Sequence, residues 1–143
     1  MKPALNSITN YANPVLIRGV GIDIVEVSRI RVASSRWGDR FEGRIYTPEE
    51  IKYCGGTDIR YQRLAARFAA KEAAFKALGT GLRPGMWWHD VSVITGELGK
   101  PELILNGRAR QHADSLGVSQ TFVTLAHTDN YAVANVILWG ELQ

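Results

Sequence analysis

Two carboxylates and one ammonium group are the side chains of this 143-residue sequence best placed to do chemistry. Asp23 interrupts an apolar, β-branched run, VGIDIVEVS (Val20–Ser28), that otherwise reads as a strand. An unpaired buried carboxylate is expensive, so Asp23 needs a cation, a donor or an exposed position. Glu72 and Lys76 stand one helical turn apart in RFAAKEAAFKALG (Arg67–Gly79). One Asp on a strand and one Glu on a helix edge can share a hard divalent cation. Mg2+ takes one or two protein carboxylates and fills its shell with waters and phosphate oxygens. Glu72–Lys76 also reads as an ordinary helix ion pair on a solvated face.

These groups need a helix and a strand to hold them. The helix reads from Thr57 or Asp58, either of which can cap it, to Gly79, which suits a C-cap. Leu64, Phe68 and Phe75 share a narrow arc at about 100° per residue and mark the buried stripe. Glu72 sits at the edge of that stripe, and Lys76 follows it. Arg63, Arg67 and Lys71 recur at four-residue spacing along the other flank. Like charges at that spacing disfavour a helix, so an unpaired basic row suggests a docked anion. Gly79-Thr80-Gly81 then reads as a flexible loop whose backbone N–H groups can hold a phosphate. Upstream, Arg18–Val27 reads as the first strand. Gly19 and Gly21 there admit a close backbone or ligand.

The formal charge of +3 is unevenly spread. Residues 29–83 carry twelve Lys or Arg against six Asp or Glu, and residues 84–143 carry three against six. The basic half contains the candidate site and favours an anionic small molecule, an acidic protein or nucleic acid. A lone Cys54 excludes an intrachain disulfide and fits a reducing compartment. It lies in KYCGG with no His nearby, which favours a structural role. No apolar stretch is long enough to span a membrane, and Met1–Pro14 lacks a signal-peptide core. A cytoplasmic protein is expected.

Residues 1–16 show no period and read as an extension, either a disordered leader or a surface cover. Residues 17–143 read as one domain. Ser28 can cap the helix after the first strand. Arg29, Arg31, Arg36, Arg40 and Arg44 follow, interleaved with Ile30, Trp37, Phe41 and Ile45, a composition of protein-docking or nucleic-acid surfaces. Thr47-Pro-Glu-Glu50 is a capping box, and the short helix it opens ends at Gly55–Gly56. Met86-Trp87-Trp88-His89 reads as core or interface packing rather than as a cluster flanking an adenine. Asp90–Thr95 and Pro101–Asn106 read as a hairpin, Arg108–Leu116 as a short helix closed by Gly117, and Thr121–His127 with Tyr131–Trp139 as a final antiparallel pair. This mixture without a βαβ rhythm is an α+β fold with an antiparallel sheet and a long central helix.

Gly21-Ile-Asp-Ile24, taken with RFAAKEAAFKALGTG (Arg67–Gly81), resembles the holo-acyl-carrier-protein synthase family, the small 4′-phosphopantetheinyl transferases. The resemblance covers about residues 18–139. Gly99-Lys-Pro101 is a further family feature. His127-Thr128 with Tyr131 matches a third motif, although Ala126 stands where the family has Ser. Larger superfamily members place a second carboxylate two residues after the Asp. Val25 stands there, which favours the small single-domain type.

The resemblance implies the phosphopantetheinyl transferase fold, a homotrimer and active sites between subunits. It implies transfer of 4′-phosphopantetheine from coenzyme A to a serine of apo-acyl carrier protein, leaving adenosine 3′,5′-bisphosphate. Asp23 and Glu72 would hold Mg2+, or Mn2+, and Glu72 and Lys76 would be catalytic. Arg67, Lys71, Lys76, Gly79, Thr80, Gly81, Lys100, His127 and Thr128 would bind coenzyme A. Arg29, Arg36, Arg40, Phe41 and Arg44 would dock the acidic helix of the carrier. The acceptor of the serine proton stays open among Glu72, a water and a neutral Lys76. Nucleic acid and membrane are not expected partners. The rival readings are a non-catalytic basic module for nucleic acid or another polyanion, and a transferase-like protein that binds coenzyme A without turnover. A basic module leaves Asp23 and Glu72 unexplained, since both would repel phosphate without a metal.

Overall fold

The computed structural model describes residues 15–141 and is α+β, with two antiparallel sheets around one long helix. The first sheet has the order β1-β5-β4, from β1 (Val15–Glu26), β4 (Val118–His127) and β5 (Tyr131–Glu141). The second is the hairpin of β2 (Val91–Thr95) and β3 (Pro101–Leu105). The helices are α1 (Val27–Trp37), α2 (Asp39–Ile45), α3 (Pro48–Cys54), α4 (Arg60–Leu78) and α5 (Gly107–Ser115). Residues 1–14 of the expected extension lie outside the described residues, and Leu16 already pairs with Gly140 in the sheet.

α4 is the hub of the core because its sheet-facing side is small. Ala65, Ala66, Ala69, Ala70, Ala73, Ala74 and Ala77 are all buried, so the helix lies close on β1 and β5. On β1 the approach is closer still. A methyl group at Gly19 or Gly21 would overlap the carbonyl oxygen of Ala77 or Ala73. The space expected around Gly19 and Gly21 is thus filled by helix backbone. Ala132, Ala134, Val136 and Leu138 of β5 complete the buried face.

Three helix ends behave as read. Thr47 and Glu50 form both bonds of the capping box, Gly55 ends α3, and Gly79 closes α4 in the left-handed conformation at φ 76°. Two starts differ. Ser28 does not cap α1. The helix begins at Val27, whose N–H is taken by the carbonyl of Asn130 from the β4–β5 turn (2.9 Å). Neither Thr57 nor Asp58 side chain caps α4, which begins at Arg60 after Ile59. There the Thr57 carbonyl accepts Arg60 N–H (3.1 Å) and Tyr46 Oη donates to Leu64 O (2.8 Å). The hairpin tip is a tight turn over Glu97–Gly99 that holds Leu98 at φ 59° and fully exposed.

Candidate active site

Asp23 and Glu72 approach each other across the seam where β1 meets α4. Gly19, Gly21, Asp23 and Val25 share the inward side of β1 by strand alternation, so the close packing at the glycines brings Asp23 onto α4. Lys76 bridges the seam. Its Nζ lies 2.9 Å from Asp23 Oδ1 and donates to the Ile22 carbonyl at 3.0 Å. Glu72 is half-buried, one turn earlier on the same side of α4. Burial first, and then the charge of Asp23, push its pKa above the ordinary carboxylate value, while Lys76 and Arg29 pull it down. The expected helix pair Glu72–Lys76 is therefore displaced by a pair across the seam, Asp23–Lys76.

Two carboxylates set this close across the seam form a donor set for a hard cation. Among the described residues no group of three or more His, Cys, Asp or Glu converges on a metal position. Asp23 and Glu72 thus fit an ion that takes the rest of its shell from water and phosphate.

The basic row beside them is not an anion surface, and Lys71 is not placed to bind coenzyme A. A row spaced by four residues turns about 40° per step on a 3.6-residue helix, so it runs obliquely from the flank into the buried stripe. Lys71 lands inside that stripe and is fully buried. Its Nζ pairs with Glu50 Oε1 (2.8 Å) and donates to the carbonyls of Trp88 (3.2 Å) and Val91. No proton is left for a phosphate. Burial holds its pKa below the ordinary lysine value against the opposing pull of Glu50.

Arg67 is also buried. It stacks on the Tyr53 ring (4.2 Å to the centroid) and donates to Thr95 Oγ1 (3.3 Å), and its Nε has no partner among the described residues. Arg63 lies over the same ring at 5.1 Å. Nine residues separate Arg67 from Lys76, which puts them about 180° apart on α4. One protomer cannot present both to one phosphate group.

The Gly79–Gly81 loop is corrected too. The N–H of Gly79 bonds the Lys76 carbonyl (3.0 Å), those of Thr80 and Gly81 bond the Phe75 carbonyl (3.3 Å each), and Thr80 Oγ1 donates to Gly81 O (2.8 Å). Its donors close the helix, so none is free for a phosphate.

Lys100 and His127 are exposed and make no side-chain hydrogen bond among the described residues. Thr128 shapes the β4–β5 turn, where its Oγ1 accepts from Asn130 N (3.3 Å) and Tyr131 N (3.1 Å). No hydrogen bond or ion pair joins Lys100, His127 or Thr128 to Asp23, Glu72 or Lys76.

Arg29 and Arg36 line one groove on α1 with Val32 and Trp37, and the Arg36 guanidinium lies 5.1 Å from the Trp37 ring centre. Arg40 and Arg44 are exposed on α2. Phe41 differs from its expected docking role. Its ring is half-buried, edge-on to Tyr46 (6.3 Å), so core packing occupies it. Cys54 is buried and its thiol is pushed up to about 11, which fits the structural role.

One role is not read from the sequence. Glu50 reads as a cap, but its second oxygen also accepts from Val93 N (3.0 Å), besides the pair with Lys71. Trp88 packs as its aromatic cluster suggests, stacked on Phe68 (5.1 Å) and edge-on to Phe75 (6.0 Å). The signal for Glu50 was burial, which the capping pattern does not carry.

The family model of the 4′-phosphopantetheinyl transferase superfamily matches residues 19–136. The chain belongs to this superfamily. Every candidate residue named above falls inside the match. A holo-[acyl-carrier-protein] synthase of Koribacter versatilis is 53% identical over 123 residues, which is 86% of this chain and 98% of the relative. One from Geobacter sulfurreducens is 50% identical over the same shares. The crystal structure of the Neisseria meningitidis holo-[acyl-carrier-protein] synthase superposes with a TM-score of 0.77 at 33% identity, covering 86% of this chain and 98% of that one. The Helicobacter pylori synthase, solved in complex with coenzyme A, gives 0.74 at 27% identity over 83% and 98%.

Proposed function

We propose that this protein transfers the 4′-phosphopantetheine group of coenzyme A to a serine hydroxyl of apo-acyl carrier protein and releases adenosine 3′,5′-bisphosphate. The observation that carries this is the seam of Asp23, Glu72 and Lys76, where two carboxylates and one cation face solvent beside a basic groove. The naming of the relatives as holo-[acyl-carrier-protein] synthases, one solved with coenzyme A, supports it.

The serine oxygen attacks the phosphorus next to pantetheine, the bridging P–O bond breaks, and the bisphosphate leaves with that oxygen. Such a displacement needs alignment and charge neutralisation more than covalent help. Asp23 and Glu72 would hold Mg2+, or Mn2+, which when bound offsets pyrophosphate charge and orients the oxygens. Lys76 leaves Asp23 for a phosphate oxygen and steadies the departing charge. Glu72, half-buried at the edge of the seam, is placed to take the serine proton, directly or through a water.

The distance of the exposed Lys100, His127 and Thr128 from the Asp23–Glu72 seam supports an active site shared between copies, with these three meeting the ligand from a second subunit while the buried Arg67 does not. The outer face of β1 supports the homotrimer. Val20, Ile22 and Ile24 are 56%, 60% and 63% exposed there, in a row that a neighbouring copy would cover. Arg29 and Arg36, with Arg40 and Arg44, dock the acidic carrier. The transferase domain takes in Val15 and Leu16 as well as the expected residues 17–143, since both pair in the sheet. Among the described residues no helix is long and apolar enough to cross a membrane, in keeping with a cytoplasmic enzyme.

Intact-mass spectrometry of apo-acyl carrier protein incubated with this protein, coenzyme A and Mg2+ tests the reaction. One added phosphopantetheine is expected, absent with Asp23→Ala, Glu72→Ala or chelator. No addition from folded wild-type protein on several carriers overturns the proposal.

A further inference from the structure

Beside the loop that closes α4, a cavity gathers donors that nothing engages. Arg83-Pro84-Gly85-Met86 is a turn closed by Met86 N–H on the Arg83 carbonyl (2.9 Å), with Gly85 at φ 87°. Proline second and a left-handed glycine third is the type II pattern, so the turn is rigid by construction. Turn and α5 border an open pocket of about 410 Å3, lined by Thr80, Arg83, Met86, Arg108, Gln111 and His112. The Arg108 guanidinium rests on Gly85: a methyl group there would stand 2.7 Å from its Cζ and Nη1. The missing side chain is what lets Arg108 lie across the turn.

Neither Arg83 nor Arg108 forms an ion pair or side-chain hydrogen bond among the described residues, and no carboxylate lines the cavity. The neighbouring Arg110 is already paired with Asp114 (3.0 Å), and His112 Nε2 is held by the Leu78 carbonyl (3.0 Å). Two cations without a counter-charge, one of them laid across the turn, raise the local potential, and the guanidinium fork matches phosphate oxygens. Gln111 adds amide donors at the rim.

We propose that this cavity is a phosphate-binding site built from Arg83 and Arg108. The phosphate comes either from the nucleotide ligand or from free inorganic phosphate. Thr80 follows directly on the loop that closes α4 after Lys76, so the cavity lies toward the same end of the helix as the Asp23–Lys76 pair. That source rests on the transferase function; the site itself does not.

The test follows the Nε–Hε resonances of Arg83 and Arg108 while full-length protein is titrated with inorganic phosphate and, separately, with coenzyme A. Saturable shifts of both resonances are expected with at least one ligand. The double variant Arg83→Gln/Arg108→Gln should weaken that binding about tenfold or more, and Arg110→Gln should leave it unchanged. Binding confined to coenzyme A assigns the nucleotide as source. Binding of inorganic phosphate, with the KM for coenzyme A unchanged in the double variant, assigns the free anion. No saturable shift with either ligand, or an undiminished affinity in the double variant, overturns the site. Transfer by the wild-type protein is measured alongside. Its absence with phosphate binding intact overturns the transferase function and leaves the site standing.

Discussion

Glu50 and Lys71 meet at 2.8 Å, and solvent reaches neither side chain. The pair ties the start of α3, the middle of α4 and the start of β2 to one point, one residue before Glu72. Removing one partner of a buried pair strands the other charge, which costs about 3–5 kcal/mol. Lys71→Ala should lower unfolding stability by that order in urea titration. Lys71→Met with Glu50→Leu should cost clearly less than the single change, because no charge is left buried. If Lys71→Ala keeps wild-type stability and only raises the KM for coenzyme A, Lys71 is a ligand residue after all.

Gly21 faces the Ala73 carbonyl so closely that any Cβ would collide with backbone, which cannot swing aside as a side chain can. Gly21→Ala should destabilise by about 3 kcal/mol, at the upper end of overpacking costs. It should also lower kcat by parting Asp23 from Lys76. Gly43→Ala is the control. Nothing lies within 4 Å of that position inside α2, so helix propensity should stabilise it by about 0.5–1 kcal/mol. Thermal melts and rates on both variants decide whether the close approach matters.

A raised folded pKa on an acid means the native state binds the proton more tightly than the unfolded chain. Stability from Glu72 is therefore fully present below its unfolded value, near the ordinary glutamate value of 4.5, and is lost as pH rises through the higher folded value. Without metal, Glu72→Gln should melt higher than wild type at pH 7, and the gap should close below about pH 4.5. Adding Mg2+ should raise the wild-type melting temperature and leave the variant unmoved. A variant that melts lower at pH 7 without metal contradicts the repulsion between Asp23 and Glu72.

Ile22 and Ile24 present bare apolar surface on β1, and a charge placed there should keep a neighbour away. Ile22→Asp should sediment as a monomer while keeping its circular dichroism. It should lose transfer if a second copy supplies Lys100 and His127. An active monomer excludes shared sites.

Arg29→Glu and Arg36→Glu reverse the charge of the α1 groove. Each should raise the KM for carrier protein about tenfold, with a smaller penalty at high salt, and leave the KM for coenzyme A within twofold. Equal effects on both substrates would place these arginines elsewhere in the mechanism.

Much of the architecture was legible in sequence because it depends on local signals. The capping box at Thr47, the left-handed Gly79 and the alternation of β5 are decided within a few residues. Asp23, Glu72 and Lys76 stood out for the same reason, as charged residues against apolar neighbours. The errors arose where identical local chemistry has two environments. Lys71 and Lys76 both look like helix-surface lysines, yet the drift of a four-residue row carries the first into the core, and only packing against Glu50 and β2 fixes that. The N–H groups of Gly79–Gly81 look free in a glycine-rich string, but where they bond depends on how α4 closes. The amino-acid sequence by itself determined the elements, the capping box and glycine stops of α3 and α4, and the charged residues that stand out among them. The tertiary structure alone decided which charges are buried, that Lys76 pairs with Asp23 rather than Glu72, and that Arg67 and Lys76 point away from each other. Those outcomes depend on which surfaces meet, and contacts between residues far apart in the chain have no signature in local spacing.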